Sequence, residues 1–333
     1  MKYKVFMNSA GTNRERDVLR AFHEGITTTI PTEKAEYKKL RNFNKEQGWG
    51  TGVDFDYNEK YSKCEVAVMY GSWKPERTNI HHTVRASVYD KATTFICIET
   101  PLLGRKITNH HSYYRVGVNG FLNHAAEWGF TDNCPSDRFD ALNLEYNGFR
   151  KHRGNKIVVA LQLAGDASLR HNDINEWAVD TVQELRRYSD RPIEIRVHPA
   201  ISEKGMTNHN DLFRRLAFLG LNNVKVIDGT RQAFEYQCKD AYAVVTYSSG
   251  LAIDALLFGV PVLTCDEGGF AYDITENKLM NIESMYLPDE DKVKQWLYNL
   301  AYCQWRVEEM QDGTVINHLM PAITESVKRG PQD

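Results

Sequence analysis

The chain has 333 residues, 42% of them hydrophobic and 26% charged, enough for two ordinary α/β-sized domains that each bury a core. Its 41 Lys and Arg stand against 44 Asp and Glu, and a formal net charge of −3 implies no bulk attraction to nucleic acid. No apolar run reaches the roughly 20 residues that cross a bilayer, so no transmembrane segment is expected. The N-terminus MKYKVFMNSAG enters a strand directly and lacks a signal-peptide cleavage pattern, and the six cysteines form no CxxC pair. Both features imply a cytoplasmic chain with reduced core thiols in place of disulfides or zinc ligands.

In chain order, the segment KYKVFMN reads as a first strand, with Asn8, Ser9, Ala10 and Gly11 turning into a helix over Arg14–Glu24. The stretch GTGVDFDYNEK carries Asp54 and Asp56 in an Asp-x-Asp form that can hold a divalent cation. Its Gly, Asp and Asn content favours a plain loop, and no metal is expected. EVAVMYG and TTFICIE read as strands around a helix over Thr83–Lys91. Glu99 ends the second of these strands and precedes a loop with Gly104 and Arg105. Residues 104–150 show weak periodicity and read as loop, including RVGVNGF with Asn119. The basic, glycine-containing stretch GFRKHRGNK, 148–156, marks the expected boundary between a domain over 1–150 and a second over 151–333. Residues 1–151 hold 22 Lys and Arg against 18 Asp and Glu, a bias that suits an anionic acceptor or an ordinary solvated surface.

The second half alternates strand and helix. KIVVALQL leads into AGDASLR, and a helix follows from Asp173 with Ile174, Trp177, Ala178, Val182 and Leu185 on one face. The strand IEIRVHP ends at His198-Pro199, VKVIDG follows, and AYAVVTY runs into Ser248-Ser249-Gly250. A short helix and a Gly-Val-Pro step then open the strand PVLTC, and Asp289 to about Gln311 reads as one helix. Three strands thus end in polar residues: Gln162 and Asp166, Arg196 and His198, Ser248 and Ser249. In an open α/β sheet, ligands bind at the carboxyl ends of the strands. A Ser/Gly turn opening a helix is a place for phosphate, although Ser249 also suits a simple cap.

The order Gln-x-x-x-Asp-x-x-Leu (Gln162, Asp166, Leu169), His-Pro (198–199) and Ser-Ser (248–249), with Ala255, Gly259 and Pro261 behind it, resembles the bacterial capsular-polysaccharide transferases, a group that includes Kdo transferases. The His-Pro and Ser-Ser pair is also similar to bacterial sialyltransferases. The match covers roughly 155–275. The resemblance implies a GT-B-like α/β fold of two Rossmann-like open parallel-sheet domains facing across a cleft, with the terminal helix packing back on the first. It implies a glycosyltransferase that uses a CMP- or UDP-sugar as co-substrate, needs no cofactor, and acts on a surface glycan in polysaccharide biosynthesis. By resemblance His198, Ser248 and Ser249 contact the nucleotide phosphate. Asp254 stands where related enzymes place a Glu that holds the ribose.

Sugar transfer needs a clamp for the leaving nucleotide, a base for the acceptor hydroxyl and exclusion of water. Gln162, Arg196, His198, Ser248, Ser249, Gly250 and Asp254 form the expected donor set. Asp166 and Glu99 are the two candidate bases, with a turn cap and a partner for Arg105 as their structural alternatives. Asn8, Ser9, Gly11, Arg105 and Asn119 are expected on the acceptor side. Three alternatives stay open: a phage-type transferase acting on a hydroxymethylated base of DNA, a nucleotide-sugar epimerase, and a non-catalytic glycan- or nucleotide-binding protein.

Overall fold

A computed structural model describes residues 1–6, 12–30, 54–55, 61–71, 80–105, 113–130, 132–170, 172–199, 209–230 and 233–330. The chain divides into two compact units, one of residues 1–121, 125–142 and 298–333, the other of residues 122–124 and 143–297. In chain order the elements are β1 (Tyr3–Phe6), α1 (Asn13–Thr29), β2 (Asp54–Phe55), β3 (Val66–Tyr70), α2 (Ile80–Lys91), β4 (Thr94–Glu99), β5 (Tyr113–Val118) and α3 (Asp137–Asp140). The second unit contributes β6 (Lys156–Ala160), α4 (Ile174–Arg186), β7 (Ile193–Val197), α5 (His209–Phe218), β8 (Val224–Asp228), α6 (Phe234–Lys239), β9 (Ala241–Thr246), α7 (Leu251–Leu257) and β10 (Val262–Thr264). The chain closes with α8 (Glu290–Ala301), β11 (Gln304–Arg306), α9 (Val307–Gln311) and α10 (Thr314–Arg329). Among the described residues no helix is long and apolar enough to cross a membrane.

Each unit is an open α/β sheet of Rossmann-like design. The first sheet runs β11-β5-β4-β3-β1-β2. Its β2, β1, β3 and β4 are parallel, while β5 lies antiparallel to β4 and β11 antiparallel to β5. The second sheet runs β10-β9-β6-β7-β8 and is parallel throughout. Counted within the unit, that is the doubly wound order 3-2-1-4-5, and it reverses between β6 and β9. Strands covered on both faces become continuous apolar runs, as in β9, where all six residues from Ala241 to Thr246 are buried. Helix α4 starts where the Asp173 carboxylate accepts from the backbone N–H groups of Asn175 and Glu176, at 2.7 and 3.2 Å. It buries Ile174, Ala178, Val182 and Leu185 on one stripe.

Two elements depart from the sequence reading. Strand β5 lies inside the stretch that reads as loop. Its Arg115 is buried and its Gly117 offers no apolar side chain, so the alternation that marks a strand is broken. The expected helix from Asp289 to Gln311 is two helices separated by β11. Gln304 decides this locally: its buried side-chain oxygen accepts from the N–H groups of Leu102 and Leu103, at 2.9 and 2.8 Å, while its strand pairs with β5. Those tertiary partners override a helical periodicity. The terminal helix α10 belongs to the first unit, where the Ser326 hydroxyl meets Thr94 Oγ1 at 2.8 Å and accepts from Asn119 Nδ2 at 2.7 Å.

Helix α1 carries a titration built into this core. His23 is 1% exposed among Leu19, Phe22 and Ile26, and burial lowers its pKa from 6.5 to about 4. The imidazole is therefore neutral in the fold and protonates more readily in the unfolded chain. Its contribution is fully present above pH 6.5 and is lost as pH falls toward 4. The shift corresponds to about 3 kcal/mol in total. Urea unfolding at pH 7 and pH 4.5 is expected to show His23→Leu losing about 2 kcal/mol less than the parent chain over that interval. Equal losses in the two proteins would exclude His23 as the source.

Candidate functional site at the carboxyl edge of the second sheet

The residues that follow β6, β7 and β9 fall on one edge. Ala160 pairs with Arg196 on one side and Thr246 on the other, so the three strands end in register. Beyond them lie Gln162, His198 and Ser248. Strands β7 and β9 both flank β6, which puts their ends about 10 Å apart at ordinary strand spacing.

Gln162 ties the edge together at the point where the strand order reverses. Its side-chain oxygen accepts from the Ser248 N–H at 3.0 Å, and its Nε2 donates to Ser248 Oγ at 3.1 Å and to Ser168 Oγ at 2.6 Å. The Ser248 hydroxyl donates to the Ser168 carbonyl at 3.1 Å. Asp166 Oδ1 in turn accepts from the N–H and the hydroxyl of Ser168, at 3.0 and 2.8 Å, and starts the short 3-10 turn Ala167–Leu169. Gln162 and Ser248 are both buried, so the bonds between them are made out of water, where an unpaired group is costly. The Ser-Ser-Gly turn is thereby anchored to the sheet through Ser248. Ser249, one residue on and half-buried, accepts from the Leu251 N–H at 3.2 Å, and Gly250 leads into α7. Asp254 sits half-buried one turn further along that helix.

The remaining sequence candidates are placed as follows. His198 is half-buried just past β7. Arg196 is 5% exposed, and its guanidinium donates to Gln237 Oε1 at 3.1 Å and to the Gly229 carbonyl at 2.9 Å beside the Phe234 ring. That side chain joins β7 to α6. Glu99, Arg105 and Asn119 belong to the first unit. Glu99 accepts from the Thr100 N–H at 3.1 Å and lies 3.8 Å from the Arg115 guanidinium, while Arg105 Nε donates to the Pro101 carbonyl at 3.2 Å. Asn119, in a left-handed conformation at φ 62°, accepts from the Phe95 N–H and donates to Ser326. Asn8, Ser9, Gly11 and Asp56 lie outside the described residues.

Neither a protein-family model nor a curated protein sequence matches the chain. Among solved structures, the beta Kdo 2,7 transferase of Thermosulfurimonas dismutans KpsC is similar at 13% identity, covering 97% of this chain and 99% of that one, with a TM-score of 0.49. The KpsC beta Kdo 2,4 transferase of the same organism is similar at 14% identity, over 89% of each chain, with a TM-score of 0.43. The Methanocaldococcus jannaschii UDP-GlcNAc 2-epimerase, in complex with UDP-GlcNAc and UDP, is similar at 14% identity over 98% of this chain and 100% of that one, with a TM-score of 0.29. Transferases and an epimerase stand side by side here, and likenesses this distant assign no activity.

The edge also holds residues that the sequence reading passed over. Past β10, Asp266 accepts from the Gly268 N–H at 2.9 Å and pairs with Arg170, whose guanidinium also reaches Glu267 at 3.4 Å. Tyr247, between Thr246 and Ser248, accepts from Asn172 Nδ2 at 2.7 Å. Burial, followed by its hydrogen bond to Asp266, pushes the Tyr247 phenol up to about 12. The strand-end rule that selects Ser248 applies equally to Asp266 after VLTC, so that signal was available. Gly269 is required by proximity: a Cβ there would lie 2.6 Å from Thr264 Cγ2 and 3.2 Å from Ser248 Cα.

Proposed function

We propose that the chain is a GT-B glycosyltransferase that moves a sugar from a CMP- or UDP-sugar to an acceptor hydroxyl of a glycan. The observation that carries this reading is the Gln162–Ser248 bridge across β6 and β9. It sets a polar, hydrogen-bonded turn at the point where a doubly wound sheet leaves a crevice for a nucleotide. The Gln-x-x-x-Asp, His-Pro and Ser-Ser motifs that resemble the transferases meet on this one edge. His198 and the Ser249 turn are the donors toward the leaving phosphate, which gains negative charge as the glycosidic bond breaks. Asp254 is the ribose contact.

Calorimetric titration with CMP, UDP and their sugars, with and without EDTA, tests the reading. His198→Ala removes a donor to a charged group, worth about 1–3 kcal/mol, and is expected to weaken binding about five- to hundred-fold. Binding is expected to persist in EDTA. An affinity unchanged in both His198→Ala and Ser249→Ala, with native circular dichroism, would remove the donor-site assignment.

A further inference from the structure

The edge described above has a neighbour that neither the motifs nor the donor reading uses. Residues 122–124 leave the first unit and belong to the second. The Asn123 N–H donates to the Gly268 carbonyl at 3.2 Å, and Leu122 lies so near Gly268 that a Cβ there would be 3.1 Å from Leu122 Cδ1. The Asp273 carboxylate holds the end of this excursion with both oxygens. Oδ2 accepts from Asn123 Nδ2 at 2.8 Å, and Oδ1 meets His124 Nε2 at 2.9 Å. A carboxylate only accepts, so Nε2 carries the proton, and in the neutral ring the lone pair sits on Nδ1. The Tyr272 ring stands edge-on to the imidazole at 6.4 Å between centroids. The His124 and Asp273 side chains are 52% and 51% exposed, open to an incoming molecule.

We propose that His124, oriented by Asp273, is the general base that takes the proton of the acceptor hydroxyl, a role that rests on the donor reading of the same edge. Three facts support it together. The pair has base-and-orienter geometry, in which a carboxylate fixes the tautomer of a half-exposed imidazole and leaves its other nitrogen as the acceptor. The segment that carries His124 packs on the loop that adjoins the donor turn, because Gly268 touches Leu122 and Asn123 while Gly269 abuts Ser248. The carboxylate candidates are otherwise occupied, Asp166 by Ser168 and Glu99 by Thr100 and Arg115. In the reaction the acceptor oxygen bonds to the anomeric carbon as its proton passes to His124 Nδ1. The bond from that carbon to the phosphate oxygen breaks, and its electron pair leaves with the nucleotide.

The test separates binding from turnover. Nucleotide release from a panel of CMP- and UDP-sugars, with water as the acceptor, is measured beside calorimetric binding of CMP and UDP. His124→Ala is expected to bind nucleotide within about twofold of the parent chain and to release it about 100- to 10,000-fold more slowly. Added imidazole is expected to restore part of that rate. Asp273→Asn is expected to lower kcat with little change in KM, which a merely structural contact would not do. Undiminished release by His124→Ala overturns the proposal, as does a parent chain that binds a nucleotide sugar yet releases nothing above the buffer rate. A parent chain that binds no nucleotide fails at the earlier step and overturns the donor reading together with it.

Discussion

Gln162→Leu is expected to lower the stability of the chain by about 2–4 kcal/mol, because it strips partners from several buried polar groups at once. Leucine fills a similar volume, so packing changes little. The Ser248 N–H then loses its acceptor, and the hydroxyls of Ser248 and Ser168 lose their shared donor. The same substitution releases the Ser-Ser-Gly turn from β6 and is expected to weaken nucleotide binding more than tenfold, about 1.4 kcal/mol or more. Urea midpoints at constant slope, followed by titration of the folded variant, measure both effects. A variant as stable as the parent would mean that water replaces the amide at no cost and that the network does not anchor the turn.

Gly25→Ala is the second large effect, and its sign depends on which of two terms wins. In a helix interior, alanine in place of glycine ordinarily gains about 1 kcal/mol. At this position of α1 a Cβ would lie 1.9 Å from the Met310 carbonyl oxygen in α9 and 3.1 Å from the Gly313 backbone nitrogen. Those atoms are backbone and cannot rotate away, so the helices must separate. Overpacking of this kind costs about 3 kcal/mol, occasionally more. The expected net result is a loss of about 2 kcal/mol or more, read from chemical denaturation. A variant more stable than the parent would show that the approach of α1 to α9 is loose enough to relax.

What was legible in the sequence follows the range of the forces involved. Strands β6 and β9 announce themselves as apolar runs because both of their faces are covered, β7 by its alternation of Ile193, Ile195 and Val197 with Glu194 and Arg196, and α4 by its Asp173 cap and its apolar stripe. Polar residues after such strands locate the edge, which is why Gln162, His198 and Ser248 could be named. The partners they find were not legible. Gln162 reads as a ligand contact, yet its side chain is spent on Ser248 and Ser168, and Ser168 carries no signal of its own. Arg196 reads as a phosphate donor, while the fold turns it toward Gln237 and Gly229. Side chains alternate across a strand, so the end of a strand fixes the edge but not the face. His124 and Asp273 are 149 residues apart, and only the fold brings them together.

The proposed function requires a nucleotide to bind at the carboxyl edge of the second sheet, outside β6 and β9. The most direct measurement is a structure of the chain with CMP or UDP bound. The nucleotide phosphate is expected within hydrogen-bond distance, about 3 Å, of the Ser249 turn and of His198, with the Gln162–Ser248 bridge intact. A nucleotide seated elsewhere, or a phosphate contacting neither residue, would contradict it.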